Sequence, residues 1–312
     1  MNLDLSYLRA KLVLPVDYEE AQFWLIGAGG TGSFMAMNLA RLSFELSRAG
    51  KKTKIVIVDH DRVEAGNIPR SNFCFAEIGA YKAETLAGRI TAAWGMEVGF
   101  VNESFTSRLL ERKNDDWFPY SSDEKKLVIL VGCVDNHRAR LEMHESVKRF
   151  NEKSYYRDTP RLWWIDGGNG SSSGQVLIGN RLDEKEICRA GQEMPIVSYL
   201  PAPSLQHPDL LAEDPADKKI SRRNLTCAER IRLGEQSLNI NSRVAVEMTE
   251  MLSELLLTHN LKRFATYFDL ESGSSRSLFS TPEAIRDASD HQAENPGKRK
   301  ISGKSAVEKS RK

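Results

Sequence analysis

The hexapeptide Gly27-Ala28-Gly29-Gly30-Thr31-Gly32 satisfies G-x-G-x-x-G between the apolar run Phe23-Trp24-Leu25-Ile26 and a helical stretch from Ser33 towards Arg48. Glycines at such a strand-to-helix turn let the backbone come close to a phosphate-bearing ligand. The pattern points to a nucleotide but does not separate NAD from ATP, and a tight turn that binds nothing is the plain structural alternative. Asp59, at the end of the next strand, is placed to accept hydrogen bonds from ribose hydroxyls, which both cofactors carry. The two are separated downstream by cations, Arg70 within Asn67-Ile68-Pro69-Arg70-Ser71-Asn72-Phe73 and Lys82 within Gly79-Ala80-Tyr81-Lys82-Ala83-Glu84. A guanidinium can hold phosphate oxygens bidentately and an ammonium can act as a point charge on a transferring phosphoryl group, tasks that a triphosphate needs and hydride transfer does not. Asp135, in Val134-Asp135-Asn136 at the C-terminal end of a strand, is a natural ligand for Mg2+. Singly, Arg70, Lys82 or Asp135 could each be a surface or capping residue; the set in this order suits ATP with Mg2+.

The elements that must position these residues read as an alternation. After the glycine loop and its helix comes the β-branched strand Ile55-Val56-Ile57-Val58, continuous as buried parallel strands are. A helix over 82–94, a short strand over 98–102, a buried strand over 127–133 and a helix over 138–150 follow. The economical fold class is α/β, a Rossmann-like, doubly wound, mostly parallel sheet with helices on both faces. Strands over 162–165 and 175–178 flank a glycine-serine stretch, Gly167 to Gly174, which could let an extended peptide tail approach, although its glycine content is equally that of an ordinary loop. Five prolines, Pro195, Pro201, Pro203, Pro208 and Pro215, make 180–226 an irregular crossing loop. Thr226-Cys227-Ala228-Glu229 fits the S/T-x-x-E capping box, an amphipathic helix runs over 240–257, and Phe264–Leu270 with Ser277–Phe279 form a terminal hairpin around Ser272-Gly273-Ser274. The domain is expected to span 1–280, with a disordered basic tail over 281–312.

With 40% hydrophobic and 28% charged residues the 312-residue chain is of ordinary globular composition. No run of about 18 apolar residues and no signal-peptide pattern occurs, so no membrane association and a cytoplasmic location are expected. Cys74, Cys133, Cys188 and Cys227 form no C-x-x-C pair, which predicts free thiols rather than a disulfide framework or zinc clip. Cys133 and Cys74 read as packing residues. Residues 297–312 hold seven Lys or Arg against the single Glu308. Blocks of like charge are usually solvated, so nucleic-acid binding is not expected of them.

Taken in order, G-x-G-G-x-G, D-x-D at Asp59 and Asp61, N-x-x-R at Asn67 and Arg70, G-x-x-K-A at Lys82 and C-x-D-N at Asp135 resemble the signature of the ThiF, MoeB and ubiquitin-activating superfamily, over about residues 20–180. Cys227-Ala228-Glu229 with Gln236-Ser237-Leu238-Asn239-Ile240-Asn241 is similar to the ThiF-like proteins of bacterial PRTRC cassettes, which accompany ubiquitin-like and conjugating-enzyme-like proteins. The resemblance implies that Gly27, Gly29, Gly30 and Gly32 lie beneath ATP, that Asp59 binds its ribose beside Asp61, that Asn67, Arg70 and Lys82 hold its phosphates, and that Asp135 holds magnesium. It also implies a homodimer, a ubiquitin-like protein as substrate and a conjugating-enzyme-like partner. Three departures stand out. The family's N-terminal arginine element is absent, although Arg9 could substitute; Ser71 stands where a Gln commonly follows the Arg; and the paired zinc cysteines are missing.

The expected reaction is ATP-dependent adenylation of a C-terminal carboxylate, with Arg70, Lys82 and Asp135 as its catalytic groups. Cys227 is a candidate to take the acyl group as a thioester, because the first turn of a helix lowers a thiol's pKa. Glu229 offsets part of that effect, Cys188 is the runner-up, and a Cys227 that merely begins a helix is the plain alternative. Two other functions stay open: a superfamily member that adenylates or binds a small molecule or cassette partner without conjugation, and an NAD-dependent oxidoreductase.

Overall fold

A strand stretch that is apolar at successive positions needs cover on both faces, and the central strands each carry such a stretch. A computed structural model describes residues 5–111, 125–152, 160–183, 195–213 and 237–289. In chain order these form α1 (Ser6–Arg9), β1 (Leu12–Val13), β2 (Glu20–Ile26), α2 (Gly30–Arg48), β3 (Lys52–Val58), α3 (Lys82–Trp94), β4 (Val98–Val101), β5 (Lys126–Gly132), α4 (His137–Glu152), β6 (Leu162–Asn169) and β7 (Ser173–Gly179). Then follow β8 (Ile196–Val197), α5 (Pro203–Gln206), α6 (Ile240–Leu256), β9 (Arg263–Asp269), β10 (Ser274–Phe279) and α7 (Pro282–Ser289).

Eight strands form one sheet in the order β4-β3-β2-β5-β6-β7-β9-β10. The five from β4 to β6 are parallel, and the pairings beyond β6 are antiparallel. Successive side chains on β2 serve opposite faces. Phe23 aligns with Ile55 and Ile129, and that row packs against α2 and α6 through Leu39 and Met248. Trp24 aligns with Val56 and Leu130, and Leu130 with Trp164, a row covered by Met143 and Val147 of α4. Each such fully buried side chain is worth about 1.5–3 kcal/mol relative to exposure. Helix α6 supplies its share because Val244, Met248, Met251, Leu252 and Leu255 recur at helical spacing and are all buried. The sheet order reverses at β2, with β3 on one side and β5 on the other, and open α/β sheets bind ligands beyond the carboxyl ends of strands at such a switch point.

The doubly wound α/β architecture is as the sequence predicts, with three local differences. The glycine-serine stretch 167–174 is mostly strand, a tight antiparallel hairpin of β6 and β7 rather than an open loop. Its glycines mark close approach: a Cβ at Gly167 would lie 2.5 Å from the Met248 sulfur of α6, and one at Gly174 2.5 Å from the Phe268 ring. Within 180–226 the described residues include β8, paired in parallel with β1 as a separate two-stranded sheet, and α5 with Pro203 at its start. Finally, residues 282–289 are helical where disorder is expected from Thr281, because Ile285 and Ala288 fall on one face and are buried.

Candidate functional site

The glycine loop connects the end of β2 to the start of α2, and its backbone leaves no room for side chains at two points. Gly27 has a φ of +88°, and a Cβ there would lie 2.6 Å from the Cys133 carbonyl oxygen at the end of β5. A Cβ at Gly32 would lie 1.9 Å from the Gly27 carbonyl oxygen. At Gly29, by contrast, a Cβ would meet nothing within 4 Å, so the loop faces open space there.

Three connections tie the sequence-predicted residues to this loop. The first runs through Asp59, whose carboxylate accepts from the Ala28 N–H at 2.6 Å and the Asp61 N–H at 2.8 Å. Asp61 in turn pairs with Lys82, Nζ to carboxylate 2.9 Å, and the Lys82 side chain is 9% exposed against 53% for Asp61. His60 lies beside Asp61 at 3.3 Å. The second connection is β5: Gly27 abuts Cys133 and Val134, which brings the exposed Asp135 next to the loop. The third is Asn241 on α6, which touches Gly30 and donates to the Arg70 carbonyl. Asn67 belongs to the same corner, although its side-chain oxygen already accepts from the Glu64 N–H at 2.9 Å. These contacts tie Asp59, Asp61, Lys82, the Arg70 turn with Asn67, and Asp135 to the glycine loop of Gly27, Gly29, Gly30 and Gly32.

Several functional neighbours carry no sequence signal of their own. Arg140, on the first turns of α4, binds the fully buried Asp166 carboxylate through Nε at 3.1 and 3.3 Å and donates from Nη2 to the Val134 carbonyl at 2.7 Å. Burial pushes the Asp166 carboxyl up, and the Arg140 guanidinium works against that. The pair fixes the backbone immediately before Asp135. Only the three-dimensional crossing of α4 over β6 brings Arg140 and Asp166 together, so no spacing in the chain reveals them.

The cysteines divide. Cys133 is buried as expected, and burial followed by the Asp166 charge pushes its thiol well up, which suits a packing residue. Cys74 is exposed, which corrects the reading of it as a packing residue: it begins a one-turn 3-10 helix, and its N–H donates to Glu77 at 2.8 Å. Cys227 and Cys188 lie outside the described residues. Ser71 is buried and donates to the Asn67 carbonyl at 2.5 Å, so at this position the side chain holds its own turn. Arg9 is exposed on α1.

Beside Asp135 a cavity of about 630 Å³ is lined by residues of the adjoining β6–β7 and β9–β10 hairpins, among them Gly168, Asn169, Gln175, Tyr267 and Arg276, together with Arg140. Tyr267 is held by His207, hydroxyl to Nε2 2.6 Å. Asp135, which lines this cavity, directly follows Val134, the residue that Gly27 abuts.

The sequence profile of the ThiF family matches residues 16–195. The chain belongs to the ThiF family. Members of this family are adenylyltransferases, which favours the adenylating reading over hydride transfer. Among solved structures the fold resembles PaaA, with a TM-score of 0.51 at 17% identity over 84% of this chain and 64% of that one. It also aligns with E. coli MccB solved with ATP, with a TM-score of 0.49 at 13% identity over 89% of this chain and 66% of that one. The chain thus spans less than two thirds of the length of either structure. No curated protein matches the chain. Among the described residues no helix is long and apolar enough to cross a membrane.

Proposed function

We propose that this ThiF-family chain adenylates the C-terminal carboxylate of a ubiquitin-like protein with ATP. The observation that supports it best is what lies on the two sides of Asp135: a glycine loop open to space at Gly29, tied to Lys82 through Asp59 and Asp61 and to the Arg70 turn through Asn241, and a cavity able to take an extended peptide end. The open space above Gly29 and the acceptor at Asp59 fit a nucleotide. Asp135, an exposed carboxylate at a strand end, offers the hard oxygen that Mg2+ prefers and would hold it there, adding positive charge near the phosphates.

In this reading the substrate carboxylate oxygen attacks the α-phosphorus of ATP. The bond to the bridging oxygen breaks, and its electron pair leaves with pyrophosphate. No nucleophile of the enzyme is consumed. Lys82, already steered by Asp61, and Arg70, on a braced turn, stabilise the charge that grows on the phosphate oxygens. A further step moves the acyl group to Cys227: the thiolate attacks the acyl carbon and AMP leaves with the electrons of the broken C–O bond, before transfer to a conjugating-enzyme-like partner.

The test is ATP–pyrophosphate exchange dependent on a purified ubiquitin-like protein ending in a free carboxylate. Lys82→Ala and Arg70→Ala should each lower it about 10²- to 10³-fold, the scale of losing one charge contact made in the transition state. Unchanged exchange in both variants sinks the assignment. The cavity volume also suits a small ligand, so exchange driven by a small carboxylate alone would favour the reading without conjugation.

A further inference from the structure

Asn241 opens α6, far along the chain from the motif residues, and is 3% exposed. Its side chain reaches three separate segments. The carbonyl oxygen accepts from the Thr31 hydroxyl at 3.1 Å and from the Asn169 amide at 2.5 Å, while its own amide donates to the Arg70 carbonyl at 3.1 Å. It also lies where a side chain at Gly30 would be, since a Cβ there would sit 2.6 Å from the Asn241 amide nitrogen. One buried amide therefore joins the first turn of α2, the rim of the cavity and the turn that carries Arg70.

That turn is otherwise held from α2 and α3. The Asn72 N–H donates to the Ser33 hydroxyl at 2.8 Å, and Arg89 donates to the Asn72 carbonyl at 2.6 Å. These contacts act on the residue after Ser71. Upstream, the Arg70 and Ser71 N–H groups both bond to the Asn67 carbonyl. The Arg70 carbonyl is the point at which α6 takes hold of the turn.

We propose that Asn241 is a positioning residue that sets the register of the Arg70 turn against the glycine loop, so that α6 controls how Arg70 meets the nucleotide. This rests on the proposed adenylation. The chemistry demands an amide: two hydrogen bonds enter its oxygen and one leaves its nitrogen, which a carboxylate, with no donor, cannot reproduce. Burial makes each unmade bond costly and keeps the geometry single-valued.

The experiment compares wild type, Asn241→Ala, Asn241→Asp, Arg70→Ala and the double variant Arg70→Ala/Asn241→Ala, reading melting temperature, ATP affinity by titration and pyrophosphate exchange. A 1 Å misplacement of a catalytic group costs about 10²-fold, so Asn241→Ala should lower kcat by about tenfold to a hundredfold and change the KM for ATP little. Asn241→Asp, which sets two acceptors against each other at the Arg70 carbonyl, should do no better. In the Arg70→Ala background the Asn241→Ala change should cost little further, because coupled residues are not additive. Full multiplication of the two losses overturns the proposal, as does wild-type kcat in a folded Asn241→Ala, or failure of both Asn241 variants to fold. A wild type that neither binds ATP nor exchanges pyrophosphate instead defeats the adenylation reading. Exchange lost in Arg70→Ala but kept in Asn241→Ala leaves that reading intact and removes only the role of Asn241.

Discussion

The two sides of Asp135 are built on different terms. On the side of the glycine loop, where the nucleotide is proposed to bind, the backbone is jammed: Gly27 against Cys133, Gly32 against Gly27, Asp59 clasping two N–H groups, Lys82 buried against Asp61. On the cavity side the lining includes side chains of two adjoining hairpins, among them Gln175 and Arg276. A crevice made of main chain can change little without losing its shape, whereas one walled by side chains can be re-cut by substitution. The first suits a ligand common to a family and the second a ligand particular to one member.

The sharpest way to break this comparison is at its border. Arg140→Ala would leave Asp166 buried without its partner and free the Val134 carbonyl beside Asp135. Breaking a buried pair from one end costs about 3–5 kcal/mol, so the melting temperature should fall steeply and both sides should suffer together. Loss of nucleotide affinity with the cavity side unaffected, read by hydrogen exchange across β6 and β9, would show that the two spaces do not share this support.

Within the jammed side, two neighbouring glycines should behave in opposite ways. Gly32→Ala forces a methyl to 1.9 Å from a carbonyl that cannot swing away, so it should reach or exceed the upper end of the about 1–3 kcal/mol typical of overpacking. Gly29→Ala meets nothing, so its unfolding stability should stay within about 0.5 kcal/mol of wild type while nucleotide binding falls, because the methyl occupies the space the nucleotide needs. If Gly29→Ala binds ATP normally, the open space above the loop is not the nucleotide site.

Far from both spaces, the chain's end separates composition from packing. Removing residues 290–312 should leave melting unchanged, since that segment is rich in Lys, Ser and Gly with few large apolar side chains. Cutting at 281 instead also removes α7. Burial of Ile285 is worth about 1.5–3 kcal/mol, but ordering a short helix offsets much of it, so a net loss of about 1 kcal/mol is expected. Equal melting temperatures for the two truncations would show that α7 contributes nothing.

These differences also mark what the chain made legible. The parallel core was readable because β2, β3 and β5 each contain an unbroken apolar stretch, and the candidate site because its residues lie in short motifs at strand ends. Asn241 and the Arg140–Asp166 pair were not, because each takes its role from elements brought together only by folding. The glycines of 167–174 misled for a related reason. Gly167, Gly168 and Gly174 look like loop glycines yet sit in strands, and at Gly167 and Gly174 glycine is needed because Met248 and Phe268 leave no room for a side chain. A helix at 282–289 was hidden by the polar composition of the segment around it, with only Ile285 and Ala288 buried among its apolar residues.

The smallest effect expected is one of pH, and it falls on the cavity side. His144 on α4 bonds through Nδ1 to the Ser204 hydroxyl of α5 at 2.9 Å, and α5 leads through His207 to Tyr267 in the cavity wall. Burial lowers the His144 pKa below its ordinary 6.5, outweighing the nearby Glu145, which raises it, while Lys148 lowers it further. The folded protein therefore resists protonating this ring, and the unfolded chain does not. Above 6.5 both states hold it neutral and nothing is lost. As pH falls below 6.5 the unfolded chain takes up the proton first, so stability drops through that window until the folded state also binds one. Hydrogen exchange measured down from neutral pH should then show α5 and β9 losing protection before β2 and β3, whose contacts include no such ring. His144→Asn, which can keep a polar contact to Ser204 but cannot titrate, should flatten the difference. If α5 and β9 open at the same pH in wild type and variant, protonation of His144 does not loosen the cavity side.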